Sequence, residues 1–320
     1  LESFQNFNGT VTGYRYDQAN RLTDLDSPVA GYHNGEIDGN GNPIVVTQTE
    51  PLRPSVDPEA ITYAYNARRN RLTQAGDAAF TYDGEGQLAT GYGAPYTFDD
   101  EHRLTGVGGN IRYSYDGVGN RLQAVRDGVV TRYVYDAAGN LLAETDGQGN
   151  ILRYYLHGLG LLAMITPENQ TYCYHFNPTG STVALTDEDR KVVNRYAYDP
   201  FGFNVSRQTQ IDQPFKYVGQ YGIMSESNGF YYMRARYYDP QVGRFISEDP
   251  LGFDGGDLNL YAYVGNGPVV GVDPEGKEVI GAVFGLFYGA TEGFISGAAD
   301  GNWKAGLWGG VAGAAVGAGV

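Results

Sequence analysis

The sequence predicts an all-β protein made of β-hairpins stacked side by side, followed by a short glycine- and alanine-rich helical tail. Three observations carry this reading. Of 320 residues, 47 are glycine and 27 are tyrosine against 14 phenylalanine, a composition of tight turns and amphipathic aromatics rather than of helix bundles. One phrase, an aromatic, any residue, an aromatic and Asp, then a turn and Arg-Leu, recurs along the chain. The phrase and the tyrosines then stop together near residue 277, where apolar glycine-rich sequence takes over.

The copies are "YRYDQANRL" (14–22), "YAYNARRNRL" (63–72), "FTYDGEGQL" (80–88), "YTFDDEHRL" (96–104), "YSYDGVGNRL" (113–122) and "YVYDAAGNLL" (133–142). "YYLHGLGLL" (154–162), "YHFNPTGSTV" (174–183) and "YAYDPFGFNV" (196–205) keep the paired aromatics while the turn drifts. From Tyr65 to Tyr198 the second aromatic returns every 16 to 22 residues, which is a repeat period. Aromatics at i and i+2 share one face of a strand, and D-x-x-G-N supplies an Asp that bonds its own backbone and a Gly that tolerates positive φ. Each copy therefore reads as one hairpin whose aromatic face needs its neighbours for burial. Residues 27–60, with "DGNGNP" and further prolines, interrupt the period and read as an insertion loop at the sheet edge. The chain divides into 1–228 (repeats), 229–277 (a tyrosine-rich core segment) and 278–320 (the tail). In the core segment, "LNLYAYVGN" (258–266) is expected to be a strand that carries the chain out and back.

The tail places Gly281, Gly285, Gly289, Gly293 and Gly297 at a spacing of four, continuing to Gly317 with Ala305 replacing one member. On a helix this is a smooth stripe by which apolar helices approach closely, and Val279–Ala299 is long enough for a membrane contact. A flexible linker is the alternative, since Glu292 interrupts the apolar run.

Charge and cysteine narrow the function. With 37 acidic against 22 basic side chains the formal charge is −15, which repels a phosphate backbone and argues against nucleic acid as a partner. Eighteen of the basic residues are arginine, suited to stacking on tyrosine and forking to carboxylates. Cys173 is the single cysteine, so no internal disulfide supports the fold. Opening at Leu1 and stopping at Val320 within an apolar run, the sequence reads as an excerpt of a longer protein.

The repeats, followed by "GFYYMRARYYDPQVGRFISEDPLGFDGGDLNLYAYVGNGPVVGVDPEG" (229–276), resemble the YD-repeat or Rhs family and its Rhs-associated core. The resemblance covers about residues 10–277. It implies a spiralling sheet that closes into a hollow shell around a C-terminal polypeptide, in the toxins of the family a variable effector. It further implies a secreted or cell-surface location. The partners it implies are the chain's own effector, the remainder of the shell, a delivery machinery and an immunity protein, with no cofactor.

The sharpest site is a D-P-x-G tetrapeptide that occurs twice, at Asp249 and at Asp273. Asp at i, Pro at i+1 and Gly at i+3 suit a type I turn, and a purely structural turn is one reading. The other is a carboxylate pair sharing one proton, one acid acting on a water while the other polarises a carbonyl. The resemblance favours the second, because toxin shells of the family are similar to self-cleaving aspartyl proteases whose paired acids map onto Asp249 and Asp273. It places the cut near Gly276, Lys277 and Glu278. Two residues depart from the pattern: Glu248 stands where relatives carry Arg, and Lys277 where they favour Leu. Glu248 would then add negative charge beside Asp249, and Arg244 is a candidate to compensate.

Other signals are weaker. Cys173 and His175 share a strand face but lack further ligands, which fits packing better than a thiol nucleophile or half a metal site. "DGNGN" (38–42) imitates a calcium loop through Asp38, Asn40 and Asn42, but Pro43 and Thr49 break it, so it reads as a turn and no metal is expected. Two functions stay open: a toxin-encapsulating shell with a self-cleaving core, and a surface adhesion protein whose repeats bind partners without cleavage.

Overall fold

The computed structural model describes residues 2–277 apart from 19–21, 38–42, 53–60, 68–69, 159 and 269–270. Strand makes up 48% of the chain, and the described residues contain no α-helix. All pairing between strands is antiparallel, in sheets of five, three, fourteen and four strands. The fourteen-stranded sheet runs from Thr81–Tyr82 to Asn204–Thr209 with every strand beside its sequence neighbour, as stacked hairpins require.

The turn chemistry of the repeat is visible atom by atom. At Asp116, Oδ1 accepts the Val118 and Asn120 N–H groups at 2.9 and 2.8 Å, and Asn120 Nδ2 donates to Oδ2 at 3.0 Å. The same three bonds recur around Asp136 and Asp146, while Gly119, Gly139 and Gly149 take the positive φ each turn needs.

The paired aromatics face one side but do different work. Within the fourteen-stranded sheet the first of the pair is buried: Tyr96, Tyr113, Tyr133, Tyr155, Tyr174 and Tyr196 line a continuous core. The second stands at a register shift, seen at Tyr115, Tyr135, Phe176 and Tyr198, and bulges of this kind add local twist. Its hydroxyl reaches the preceding repeat: Tyr115 donates to the Leu104 carbonyl, Tyr135 to that of Arg121 and Tyr198 to that of Thr182, at 2.5, 3.1 and 2.8 Å. In the drifted repeat His157 Nε2 meets the Leu141 carbonyl at 2.8 Å in the same way. One ring is thus a core element and the other a tie between hairpins.

Residues 27–60 correct the expectation of a loop. Gly31–Ile37 and Pro43–Thr49 form a hairpin that extends the N-terminal sheet, with Pro43 at the start of the edge strand, where its missing N–H costs no ladder bond. This sheet lies against the long sheet's second face through Leu25, Tyr32 and Val183, and Asn8 Nδ2 donates to Thr186 Oγ1 at 2.8 Å.

After Thr209 the hairpin stack ends. Met224–Ser225, Tyr231–Met233, Arg236–Asp239 and Arg244–Phe245 form a small sheet on the aromatic face of the long one, burying Phe230, Tyr232, Tyr237 and Ile246 there. The strand expected at 258–266 is absent: the segment holds one isolated bridge, Arg244 to Ala262, and a 3-10 turn at Val264–Asn266. Tyr261 and Tyr263 are both fully buried in different surroundings, so packing of rings rather than ladder pairing fixes this segment.

Two charged contacts lock the small sheet in place. Glu226, buried, accepts from Arg121, from Arg126 at 2.6 Å and from the Tyr113 hydroxyl at 2.9 Å. Burial opposes the Glu226 charge, but the two guanidinium groups outweigh it and hold the carboxyl below its ordinary value. Arg121 is itself enclosed by the rings of Tyr113, Tyr133 and Tyr232, with 5.0, 4.7 and 4.5 Å to their centroids. The second contact is Asp239, 1% exposed, whose Oδ2 accepts the Tyr92 hydroxyl at 2.6 Å.

Burial pushes the Asp239 carboxyl up to about 6 from an ordinary value of 3.8. The folded chain therefore keeps a proton that the unfolded chain releases. Stability from this group is greatest below about pH 4, is lost as pH rises to about 6, and is level above that. The loss is expected to be about 3 kcal/mol, and urea unfolding of Asp239→Asn across this range should show a correspondingly flatter profile than the parent. Equal slopes for the two proteins would refute it.

Candidate functional site

Both D-P-x-G segments are turns, and both turns aim a carboxylate at one place. At the first, the Gly252 N–H bonds the Asp249 carbonyl at 2.9 Å and the Leu251 N–H bonds Asp249 Oδ1 at 2.8 Å. At the second, the Gly276 N–H bonds the Asp273 carbonyl at 3.4 Å and the Lys277 N–H bonds Asp273 Oδ1 at 3.0 Å. Each aspartate spends Oδ1 on its own turn and presents Oδ2 to the same nitrogen, Arg236 Nη2, at 2.8 Å from Asp249 and 3.3 Å from Asp273.

Arg236 organises the site. Its Nε donates to the Gly276 carbonyl at 2.5 Å and its Nη1 to the Leu260 carbonyl at 3.0 Å, while its guanidinium lies over the Phe245 ring, 3.6 Å from the centroid. Burial pushes this guanidinium below its ordinary value, and Asp249 and Asp273 work against that push. The Gly276–Lys277 peptide is consequently held at both ends, its carbonyl by Arg236 and its N–H by Asp273. Gly276, at φ +65°, has room for no side chain: a Cβ would lie 2.5 Å from the Met233 carbonyl. Gly255 matters similarly, since a Cβ there would come within 3.0 Å of Asp249 Oδ2 and 3.3 Å of the Lys277 carbonyl. Asp249 and that carbonyl thus flank one bare glycine.

A cavity of about 20 Å³ lies among Arg236, Asp249, Asp273 and Lys277, enough for one water molecule. A cleft of about 630 Å³ opens beside Asp249 and Lys277 and runs along the hairpin turns at 118–120 and 137–139.

Two expected supporting residues are corrected. Glu248 does not charge the aspartate pair: its carboxylate pairs with Arg71 at 3.1 Å and accepts from the Tyr261 hydroxyl at 3.1 Å. Arg244 does not touch either aspartate. It donates to the Asn70 carbonyl and to Asn259 Oδ1 and lies over the rings of Tyr65 and Tyr261, tying the 63–79 sheet to the core segment. The cation of the site is Arg236, which the sequence reading passed over. One shared cation stands between the two carboxylates.

Cys173 and His175 lie buried in the strand Thr171–Phe176, where His175 Nε2 meets Thr186 Oγ1 at 2.9 Å. Burial pushes the thiol up and pushes the imidazole down to about 4. Among the described residues no cluster of His, Cys, Asp and Glu could hold a metal ion, and no helix is long and apolar enough to cross a membrane. The 38–42 turn, Glu278 and the glycine stripe from Gly281 lie outside the described residues.

A hairpin-repeat sheet carrying a tyrosine-rich sheet on its aromatic face defines a YD-shell protein. The chain belongs to the teneurin YD-shell family, which it matches over residues 4–269. It is 34% identical over 311 residues to the tRNA nuclease WapA of Bacillus subtilis, a match covering 92% of this chain and 13% of that protein. It is 28% identical over 331 residues to the double-stranded DNA deaminase toxin A of Burkholderia cenocepacia, covering 82% and 22%. Among solved structures it is similar to the Photorhabdus luminescens Tc holotoxin pore with a mutated TccC3, with a TM-score of 0.62 and 19% identity over 86% of this chain and 18% of that one. The chain therefore spans a small part of these relatives' own length.

Proposed function

We propose that this chain is the C-terminal part of a YD-repeat shell, secreted or at the cell surface, that encloses an effector polypeptide and frees it by a single intramolecular cleavage. The reading divides the chain into shell repeats (1–228), a self-cleaving core (229–277) and the start of the cargo (278–320). The observation that carries it is the convergence of Asp249 and Asp273 on Arg236 beside Lys277. Asp273 and Arg236 grip the peptide before Lys277, which fixes the Lys277 carbonyl next to Asp249. Asp249 then takes a proton from a water that attacks the Lys277 carbonyl carbon and returns it to the Glu278 nitrogen as the Lys277–Glu278 bond breaks, leaving a new carboxyl group on Lys277 and a new amine on Glu278. Because the bond is tethered beside its catalyst, position replaces affinity and one turnover suffices. The names of the relatives, a tRNA nuclease and a deaminase toxin, support an effector beyond the cut.

The test is a denaturing gel with intact-mass analysis of the full-length protein. The parent should give two fragments, the N-terminal one ending at Lys277, while Asp249→Asn and Asp273→Asn each remain one band. Fragments persisting in both variants would remove the mechanism. A second reading, a surface adhesion shell without cleavage, draws on the fact that all three charged groups are paired and so could serve as a structural latch. An uncut parent would favour it.

A further inference from the structure

A cavity of about 240 Å³ opens between the long sheet and the segment 212–227, away from the aspartate pair, and its lining is unusually cationic for this protein. In a chain of formal charge −15 it gathers Arg121, Arg126, Arg153 and Lys216 against Glu144, Asp212 and Glu226. The acids are largely committed. Glu226 is occupied by Arg121, Arg126 and Tyr113; Glu144 Oε1 accepts the Tyr155 hydroxyl at 2.6 Å; Asp212, mostly in solvent, pairs with Arg153 at 3.2 Å.

Lys216 is left over. Its amine makes no ion pair or hydrogen bond among the described residues. Its backbone is nevertheless fixed, the carbonyl accepting the Thr182 N–H at 2.8 Å and the Gly219 N–H at 3.1 Å. Arg121, which lines the same cavity, has its Nε buried without a hydrogen-bond partner. We propose that this cavity binds a small free oxyanion, a phosphate or carboxylate group of a soluble metabolite-sized molecule, with Lys216 as the cation that recognises it. Ser225 and Ser227 line the same cavity and add hydroxyl donors suited to oxyanion oxygens. The volume fits a group of phosphate to citrate size and excludes a folded partner. Burial, with Arg207 nearby, pushes the Lys216 amine below its ordinary value against the pull of Asp212 and Glu226, and an entering anion would act in the same sense as those acids.

Lysine acetylation by a succinimidyl ester, mapped by mass spectrometry on the whole protein, reads this directly. Inorganic phosphate in place of chloride at equal ionic strength should slow labelling of Lys216 by about tenfold at roughly ten times its dissociation constant, and leave exposed Lys191 unchanged. Lys216→Met, which removes no ion pair or hydrogen bond seen among the described residues, should fold normally and lose the rise in thermal midpoint that phosphate gives the parent. Unchanged labelling of Lys216 across millimolar phosphate, equal slowing at Lys191, or a phosphate-dependent midpoint retained in Lys216→Met would each overturn the proposal.

Discussion

Replacing Glu226 by glutamine is expected to lower stability by about 3–5 kcal/mol, the range seen when one partner is removed from a buried ion pair. Two arginines converge on this carboxylate, and Arg121, 1% exposed, is enclosed by three tyrosine rings. Glutamine keeps the shape and can accept one hydrogen bond, but it leaves the Arg121 charge buried with no counter-charge. The surface pair of Arg15 and Asp26 is the internal contrast: both side chains are more than half exposed, and breaking it should cost less than about 1 kcal/mol. Urea unfolding of Glu226→Gln and Arg15→Ala measures both. A cost below about 1 kcal/mol for Glu226→Gln would mean that the small sheet is held on the long one by its aromatic contacts alone.

What could be read from the sequence follows from how local each feature is. The hairpins were legible because their determinants sit within ten residues: Asp116, Gly119 and Asn120 make their bonds to one another, and Tyr113 and Tyr115 share a face by period alone. The convergence of Asp249 and Asp273 was legible only through family resemblance, since turn chemistry fixes each aspartate locally and says nothing of the distance between turns. Two features depended on contacts remote in sequence. Tyr261 and Tyr263 satisfy an alternating strand pattern but are held by rings from other segments. Arg236 is one of several arginines in "YYMRARYYDPQVGRF", and only the fold distinguishes it from Arg234, which pairs with Glu275, and Arg244, which anchors the 63–79 sheet. A rule was available in hindsight: two carboxylates buried together require a cation, and an arginine flanked by buried tyrosines is where to look for it.

Arg236→Lys is expected to slow the proposed cleavage by about 10²- to 10³-fold, as removal of a preorganised polar contact does in other hydrolytic sites. One guanidinium serves four acceptors at fixed angles: Gly276 O, Leu260 O and one oxygen each from Asp249 and Asp273. A lysine ammonium keeps the charge but has three donors and no plane, so it cannot hold the Gly276 carbonyl and both aspartates together. Loss of the grip frees the Lys277 carbonyl to move relative to Asp249, and a displacement of about 1 Å is enough for a loss of this order. Arg236→Gln separates positioning from general damage, because it also removes the charge between the two acids. Without that cation the acids repel, and the acidic limb of the cleavage pH profile should move to higher pH. Time courses of full-length protein made by cell-free translation, resolved on denaturing gels across pH, measure both variants. A lower rate with an unmoved acidic limb in Arg236→Gln would reduce Arg236 to a packing residue, and parental rates in both variants would remove it from the site altogether.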